Sequence, residues 1–84
     1  MLQVMLVEDD TTMLALLDTL LQMEGFKVVK AGEGEQEHLV ELIREKKPDL
    51  VLLDVHLRKI NGLELLRVIR ATPDLKNTRI LMSS

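Results

Sequence analysis

The feature that most constrains the fold is an alternation between short apolar runs and segments with helical spacing of apolar residues. Residues 2–7 are an apolar run broken only by Gln3, which is typical of a strand buried on both faces of a sheet. Residues 49–55 are a second strand signal, in which Asp49 and Asp54 enclose four consecutive apolar residues. After the first run, leucines recur at three- and four-residue steps, the spacing of an amphipathic helix. Repeated alternation of this kind predicts an α/β fold with a parallel sheet and right-handed crossovers.

Three strand–helix pairs followed by a fourth strand are predicted. Asp10 or Thr11 can cap the first helix, and Gly25 can end it in a left-handed conformation. The first helix carries an apolar stripe formed by Leu14, Leu17, Leu20 and Leu21, which Leu16 and Met23 widen. The predicted strands are 2–7, 26–31, 49–55 and 79–84, the predicted helices are 12–24, 39–47 and 63–72, and residues 32–34 and 61–62 are predicted as a loop and a turn.

Length and composition limit the class of protein. With 84 residues the chain is one small domain, and the absence of cysteine excludes disulfides and zinc–thiolate sites. A net charge of −3 disfavours direct contact with nucleic acid, which needs a basic surface. Since the sequence shows neither a membrane-length apolar run nor a charged leader, we expect a cytoplasmic domain with no membrane partner.

Acidic residues follow two of the predicted strands. Glu8, Asp9 and Asp10 come after the first strand, and Asp54 ends the third. Ligands of open parallel sheets bind beyond the carboxyl ends of strands, so neighbouring strands would gather these carboxylates. Because two like charges about 4 Å apart cost roughly 4 kcal/mol at an effective dielectric near 20, a cation such as Mg²⁺ is the natural counter-charge. Asp54 is then a candidate nucleophile in phosphoryl transfer.

A structural interpretation of the same acids stays open beside this one. Asp10 is better explained as a helix cap than as a ligand, because it precedes the positive end of the first helix. Glu8 and Asp9 can equally be solvated residues at a strand end, and acids at strand ends are ordinary in α/β proteins. The pattern alone therefore gives the metal site only moderate support.

Four segments together resemble the receiver domain of two-component response regulators, as in chemotaxis receivers. The resemblance covers residues 1–84 and implies a flavodoxin-like three-layer sandwich, a (βα)5 architecture of which about (βα)3β is present. The complete family domain continues with a helix, a strand and a helix, and that part holds a lysine and an aromatic switch residue. The four segments are residues 6–10, 48–54, 61–66 and 79–84.

The resemblance implies a role for each matching residue. Asp54 would accept a phosphoryl group from a histidine kinase, and Asp9 and Asp54 would bind Mg²⁺ through their side chains. Glu8 would act through a metal-bound water, and His56 through its backbone carbonyl. Ser84 would contact the phosphoryl group, with Ser83 as the alternative if the alignment is off by one residue.

Departures from the family pattern affect the loop and the edge of the sheet. Arg58 stands where the family usually has proline, and the change can loosen the loop. Arg58 can also meet a phosphate or a kinase, although a solvated loop charge is the simpler interpretation. Residues 35–38 lack the family's small apolar pair. With the sequence ending at the fourth strand, an apolar edge is expected there. Either further chain covers this edge, or the segment dimerises, swaps a strand or is unstable.

The resemblance predicts a signalling phosphoprotein that catalyses only its own phosphorylation and slow dephosphorylation. Its expected partners are a sensor histidine kinase or a phosphotransfer protein, and an output domain or a protein partner. Two alternatives remain: a pseudo-receiver that docks proteins without being phosphorylated, and a small Mg²⁺-dependent phosphohydrolase with an aspartate nucleophile. His56 stands where such hydrolases usually carry a second acid.

Overall fold

A computed structural model describes residues 1–31, 35–58 and 60–83 of the chain. It contains a four-stranded parallel sheet in the order β2-β1-β3-β4 and three helices. This is the α/β receiver architecture that the alternation and the resemblance predicted. The elements are β1 Gln3–Val7, α1 Thr11–Met23, β2 Lys27–Lys30, α2 Gln36–Lys46, β3 Leu50–Asp54, α3 Gly62–Ala71 and β4 Ile80–Ser83.

The two central strands, β1 and β3, pair with each other over their whole length. The register sets Val4 beside Leu50 and Val7 beside Leu53, so both strands end at the same height in the sheet. β1 is buried from Val4 to Val7, as predicted for a strand covered on both faces. In β3, buried Val51 and Leu53 alternate with half-buried residues. β2 pairs with β1 on one side and β4 with β3 on the other.

One face of the sheet forms the hydrophobic core with α2 and α3. The buried side chains of β1 and β3 that point to this face include Met5 and Leu53, which pack in one cluster with Leu39, Ile43 and Leu65. The apolar spacing of α2 predicted its buried residues Leu39, Val40 and Ile43. In α3, Leu65 and Ile69 are buried as the spacing predicts, but Leu63, which the same spacing places on that face, is 62% exposed.

The opposite face carries α1, which lies over β1 and β2. Leu14, Leu17 and Leu21 are half-buried, but Leu16 and Leu20 are exposed. The prediction that Leu20 belongs to the stripe on the sheet is therefore wrong. The reason is that α1 is apolar on two sides, so its periodicity alone does not select the face that packs.

Helix limits follow the capping residues that the sequence offers. Asp10 caps α1, accepting hydrogen bonds at its Oδ1 from the backbone N–H groups of Thr12 and Met13, each at 3.0 Å. Gly25 follows α1 with φ of +91°, the left-handed conformation predicted for it. Asn61 caps α3 in the same way as Asp10 caps α1. The predicted loop at 32–34 lies outside the described residues.

Among the described residues, no helix is long and apolar enough to cross a membrane. β4 is at an edge of the described sheet, and its Leu81 is 56% exposed. Leu81 therefore leaves an apolar side chain at the surface of this strand.

Gly62 begins α3 directly against the end of β3, and this contact generates a prediction. A Cβ at this position would lie 2.5 Å from the carbonyl oxygen of Asp54 and 2.7 Å from Cα of Val55. We expect Gly62→Ala to lower the free energy of unfolding by about 2–3 kcal/mol, because backbone must move to admit the methyl group. Urea unfolding measures this change. Leu63→Ala, at a neighbouring position that is 62% exposed, is the control and should cost far less; equal losses would contradict the close approach.

Candidate functional site

The candidate site lies where β1 and β3 end. Glu8 and Asp9 follow Val7 directly, and Asp54 follows Leu53, the residue paired with Val7. One carboxylate oxygen from each of Glu8, Asp9 and Asp54 lies within 4.8 Å of the others. The prediction that neighbouring strands would gather at least three carboxylates is therefore confirmed. We call these three residues the acid cluster.

Each member of the acid cluster accepts a hydrogen bond from a backbone N–H group. Two of the donors stand two residues after the acid they bind, and the third comes from a loop 49 residues away in the sequence. These bonds hold one oxygen of each carboxylate in place by charge-assisted contacts. The pairs are Asp10 N with Glu8 Oε2 at 3.2 Å, His56 N with Asp54 Oδ1 at 2.9 Å, and Arg58 N with Asp9 Oδ2 at 2.8 Å.

The contact between Arg58 and Asp9 was not predicted from the sequence. Besides its amide, the side-chain Nε of Arg58 lies 3.8 Å from the same Oδ2 of Asp9. The sequence marked Arg58 as unusual and left open a looser loop, a contact with a phosphate or a kinase, and a solvated loop charge, but it did not predict a contact with Asp9. Proline has no N–H group and could not donate this hydrogen bond from the backbone. The arginine at this position therefore joins the loop to Asp9. The contact depends on the strand order, which no local pattern around Arg58 reveals.

Within the acid cluster, Glu8 has a raised pKa. Its partial burial raises the pKa of the Glu8 carboxyl, and hydrogen bonding to Asp54 raises it further. The negative charges of Asp54 and Asp9 act in the same direction, while the bond from the Asp10 amide opposes them. The cluster therefore holds its three negative charges at a cost when no cation is near.

Asp10 and His56, the other described acid and histidine among the site candidates, are not members of the acid cluster. Asp10 caps α1 and is not a member, as its position before the helix indicated. His56 has an exposed side chain and contributes its amide to Asp54, while the predicted metal contact of its carbonyl stays a prediction. Ser84 lies outside the described residues. Ser83 is paired with Asp54 across β3 and β4.

The chemistry of the donors fits a hard divalent cation. All three side chains offer carboxylate oxygens, and the set contains no sulfur or imidazole donor. Mg²⁺ prefers oxygen ligands and uses few carboxylates, retaining waters in its other positions. The acid cluster is therefore chemically suited to Mg²⁺.

The parallel α/β sheet and the acid cluster at its edge point to a signalling domain of the receiver class, and sequence comparison gives the family. The response regulator receiver domain family matches residues 4–84, and the chain belongs to this family. It is 41% identical over 80 residues to the uncharacterized transcriptional regulatory protein YcbL of Bacillus subtilis, covering 95% of this chain and 33% of that protein. It is 43% identical over 70 residues to the transcriptional regulatory protein CpxR of Escherichia coli, covering 83% of this chain and 29% of that protein. The chain thus spans about a third of the length of these curated relatives.

Solved structures agree with this assignment. The N-terminal domain of a response regulator receiver protein from Methanoculleus marisnigri superposes with a TM-score of 0.85 at 28% identity, covering 95% of this chain and 63% of that one. The chemotaxis protein CheY4 of Vibrio cholerae gives a TM-score of 0.84 at 24% identity, covering 98% and 67%. The second similarity shows the fold alone. Both confirm the receiver fold that the four sequence segments predicted.

The raised pKa of Glu8 generates a prediction for the metal-free protein. We expect Glu8→Gln to increase the free energy of unfolding by about 0.5–1 kcal/mol at neutral pH with a chelator present, because it removes a partly buried charge that its neighbours also repel. The folded state binds the Glu8 proton more tightly than the unfolded state, in which the pKa of the carboxyl is near 4.5. The wild type therefore loses no stability through Glu8 at low pH, and the loss appears as the pH rises above that value.

Urea unfolding at several pH values tests this expectation. The advantage of Glu8→Gln over the wild type should grow from acid to neutral pH. Glu45→Gln, which neutralises an exposed acid of α2, is the control and should show no such growth. A Glu8→Gln variant that is less stable than the wild type at neutral pH would show that the cluster is not electrostatically strained.

Proposed function

We propose that this chain is the phosphoacceptor domain of a two-component phosphorelay, and that Asp54 receives the phosphoryl group. The observation that carries the proposal is the geometry of Asp54. Its carboxylate ends a central strand, one oxygen is held by the His56 amide, and oxygens of Glu8 and Asp9 lie within 4.8 Å. Membership in the receiver family makes a sensor histidine kinase or a phosphotransfer protein the expected donor.

Mg²⁺ is the cofactor we propose, held by the side chains of Asp9 and Asp54, by Glu8 through water and by the His56 carbonyl. When bound, it supplies positive charge against the anionic phosphoryl group during transfer. The three hydrogen bonds from backbone amides orient the carboxylates before any ligand arrives. We infer that the three carboxylates need little rearrangement when the site forms.

In the proposed reaction, an oxygen of Asp54 attacks the phosphorus of a phosphohistidine. An O–P bond forms, the P–N bond breaks, and its electron pair leaves on the imidazole nitrogen of the donor. The amide of His56 keeps the carboxylate of Asp54 in one orientation during this attack. The hydroxyl of Ser84 is proposed to contact the phosphoryl group afterwards, and water later hydrolyses the acyl phosphate slowly.

The consequence of phosphorylation is proposed to be a change in binding to another domain or protein. Both curated relatives described above are named as transcriptional regulators, and this chain spans only about a third of their length. We therefore propose that the segment itself senses phosphorylation, while an output domain or a partner would carry any contact with DNA. In this view its only catalysis is that of its own modification, within a cytoplasmic signalling system.

Phosphorylation of Asp54 is tested by intact mass. We expect one phosphoryl adduct after incubation with phosphoramidate and Mg²⁺, because this donor presents a phosphorus–nitrogen bond like that of phosphohistidine. The adduct should be lost with a chelator and in Asp54→Asn, which removes the nucleophilic oxygen while keeping the shape of the side chain.

Asp10→Asn is the matched control. It neutralises a neighbouring acid, and asparagine caps a helix as well as aspartate does, so the adduct should persist. A folded wild type that gains no adduct at saturating Mg²⁺ would instead support the protein-docking alternative. Release of many equivalents of phosphate from a phosphomonoester would support the phosphohydrolase.

We further propose that the 84-residue chain associates with itself through the β4 edge. A strand edge offers unpaired backbone groups, and Leu81 adds an apolar side chain that is 56% exposed. We expect light scattering after size-exclusion chromatography to give a mass above 9.6 kDa at high concentration, and Leu81→Lys to lower it to that of one chain. Leu63→Lys, at a similarly exposed leucine on α3, should leave the association unchanged. A wild type of monomeric mass at all concentrations would contradict the proposal.

A further inference from the structure

Arg58 differs from the other cations of the described chain in its partner. The remaining ion pairs among the described residues join acids outside the acid cluster, such as Asp18 with Lys30 and Asp74 with Arg44. The pair between Arg58 and Asp9 is the one described ion pair that reaches the cluster. Three neighbouring carboxylates are thus approached by a single described guanidinium.

In the contact with Asp9, the backbone of Arg58 is held in place while its guanidinium is exposed to solvent. The amide of Arg58 donates to Asp9 Oδ2 at 2.8 Å, so the start of the side chain is fixed beside that oxygen. The Nε group lies 3.8 Å from the same oxygen. The Arg58 side chain is 78% exposed, while that of Asp9 is only 10% exposed. The guanidinium can therefore leave for solvent, whereas the carboxylate stays in place.

We infer that Arg58 is the displaceable counter-ion of the metal-free acid cluster and that it competes with Mg²⁺ for Asp9. This inference rests on the proposed function, in which Asp9 binds the metal. Two cations at one carboxylate repel each other, so Mg²⁺ binding must displace the guanidinium or bear its repulsion. Arg58 thereby influences the Mg²⁺ concentration at which the site fills. It acts through Asp9 and is not itself a metal ligand.

The size of the effect follows from the exposure of the arginine. Ion pairs with an exposed partner contribute about 0.2–1 kcal/mol, which corresponds to roughly a 1.5- to 5-fold change in an equilibrium constant. Added salt screens such charges, so the effect should shrink at high ionic strength. A change in loop structure alone would lack this salt dependence.

Isothermal titration calorimetry of Mg²⁺ binding tests the inference on the whole 84-residue chain. We expect Arg58→Ala, which retains the backbone amide, to bind Mg²⁺ about 2- to 5-fold more tightly than the wild type at low salt. The difference should fall toward zero in high salt. Arg58→Lys keeps the charge and should bind Mg²⁺ nearly as the wild type does.

Arg67→Ala is the control for net charge, since it also removes one arginine but from an ion pair with Glu64 on α3. It should leave Mg²⁺ affinity nearly unchanged. If the wild type binds Mg²⁺ and Arg58→Ala binds it equally or more weakly, the counter-ion role is overturned while the proposed metal site stands. If neither the wild type nor Arg58→Ala binds Mg²⁺, the metal site and the counter-ion role are overturned together.

Discussion

The parallel pairing of β1 with β3 is the constraint on which the rest of the structure depends. It sets Val7 beside Leu53, and the next residue of each strand is an acid. Because side chains alternate between the two faces of a strand, a shift of one residue would turn Val51 and Leu53 away from the core and Asp54 toward it. Burial of Val51 and Leu53 therefore fixes the position of Asp54 against Glu8 and Asp9. The stability of the core and the geometry of the site have the same origin.

The acid cluster is electrostatically costly, and the surrounding backbone offsets part of that cost. Hydrogen bonds to charged groups contribute about 1.5–3 kcal/mol each, and every carboxylate of the cluster accepts one from an amide. These bonds are directional, so they orient the acids as well as stabilise them. They remove neither the partial burial of Glu8 nor the negative charges beside it, so the pKa of Glu8 stays raised and a cation matters at this site.

The sequence predicted the fold and the acid cluster well because both depend on strong local patterns. Apolar runs ending in acids specify buried strands whose carboxyl ends meet, and alternation with helices makes the sheet parallel. The packing face of α1 was not predictable in full, since Leu16 and Leu20 extend its apolar surface around the helix. The contact of Arg58 with Asp9 was equally out of reach, because it joins residues 49 positions apart whose proximity depends on the strand order.

The loop between β3 and α3 links the site to the rest of the domain. Its His56 amide holds Asp54, its Arg58 amide holds Asp9, and α3 starts at Gly62 in contact with the backbone of Asp54. A new charge on Asp54 would act on all three of these contacts, because the hydrogen bonds and the close approach share one short segment. α3 in turn packs into the core through Leu65 and Ile69. The close contact at Gly62 leaves little space to absorb movement of the Asp54 backbone, so a displacement there would be passed on to the start of α3.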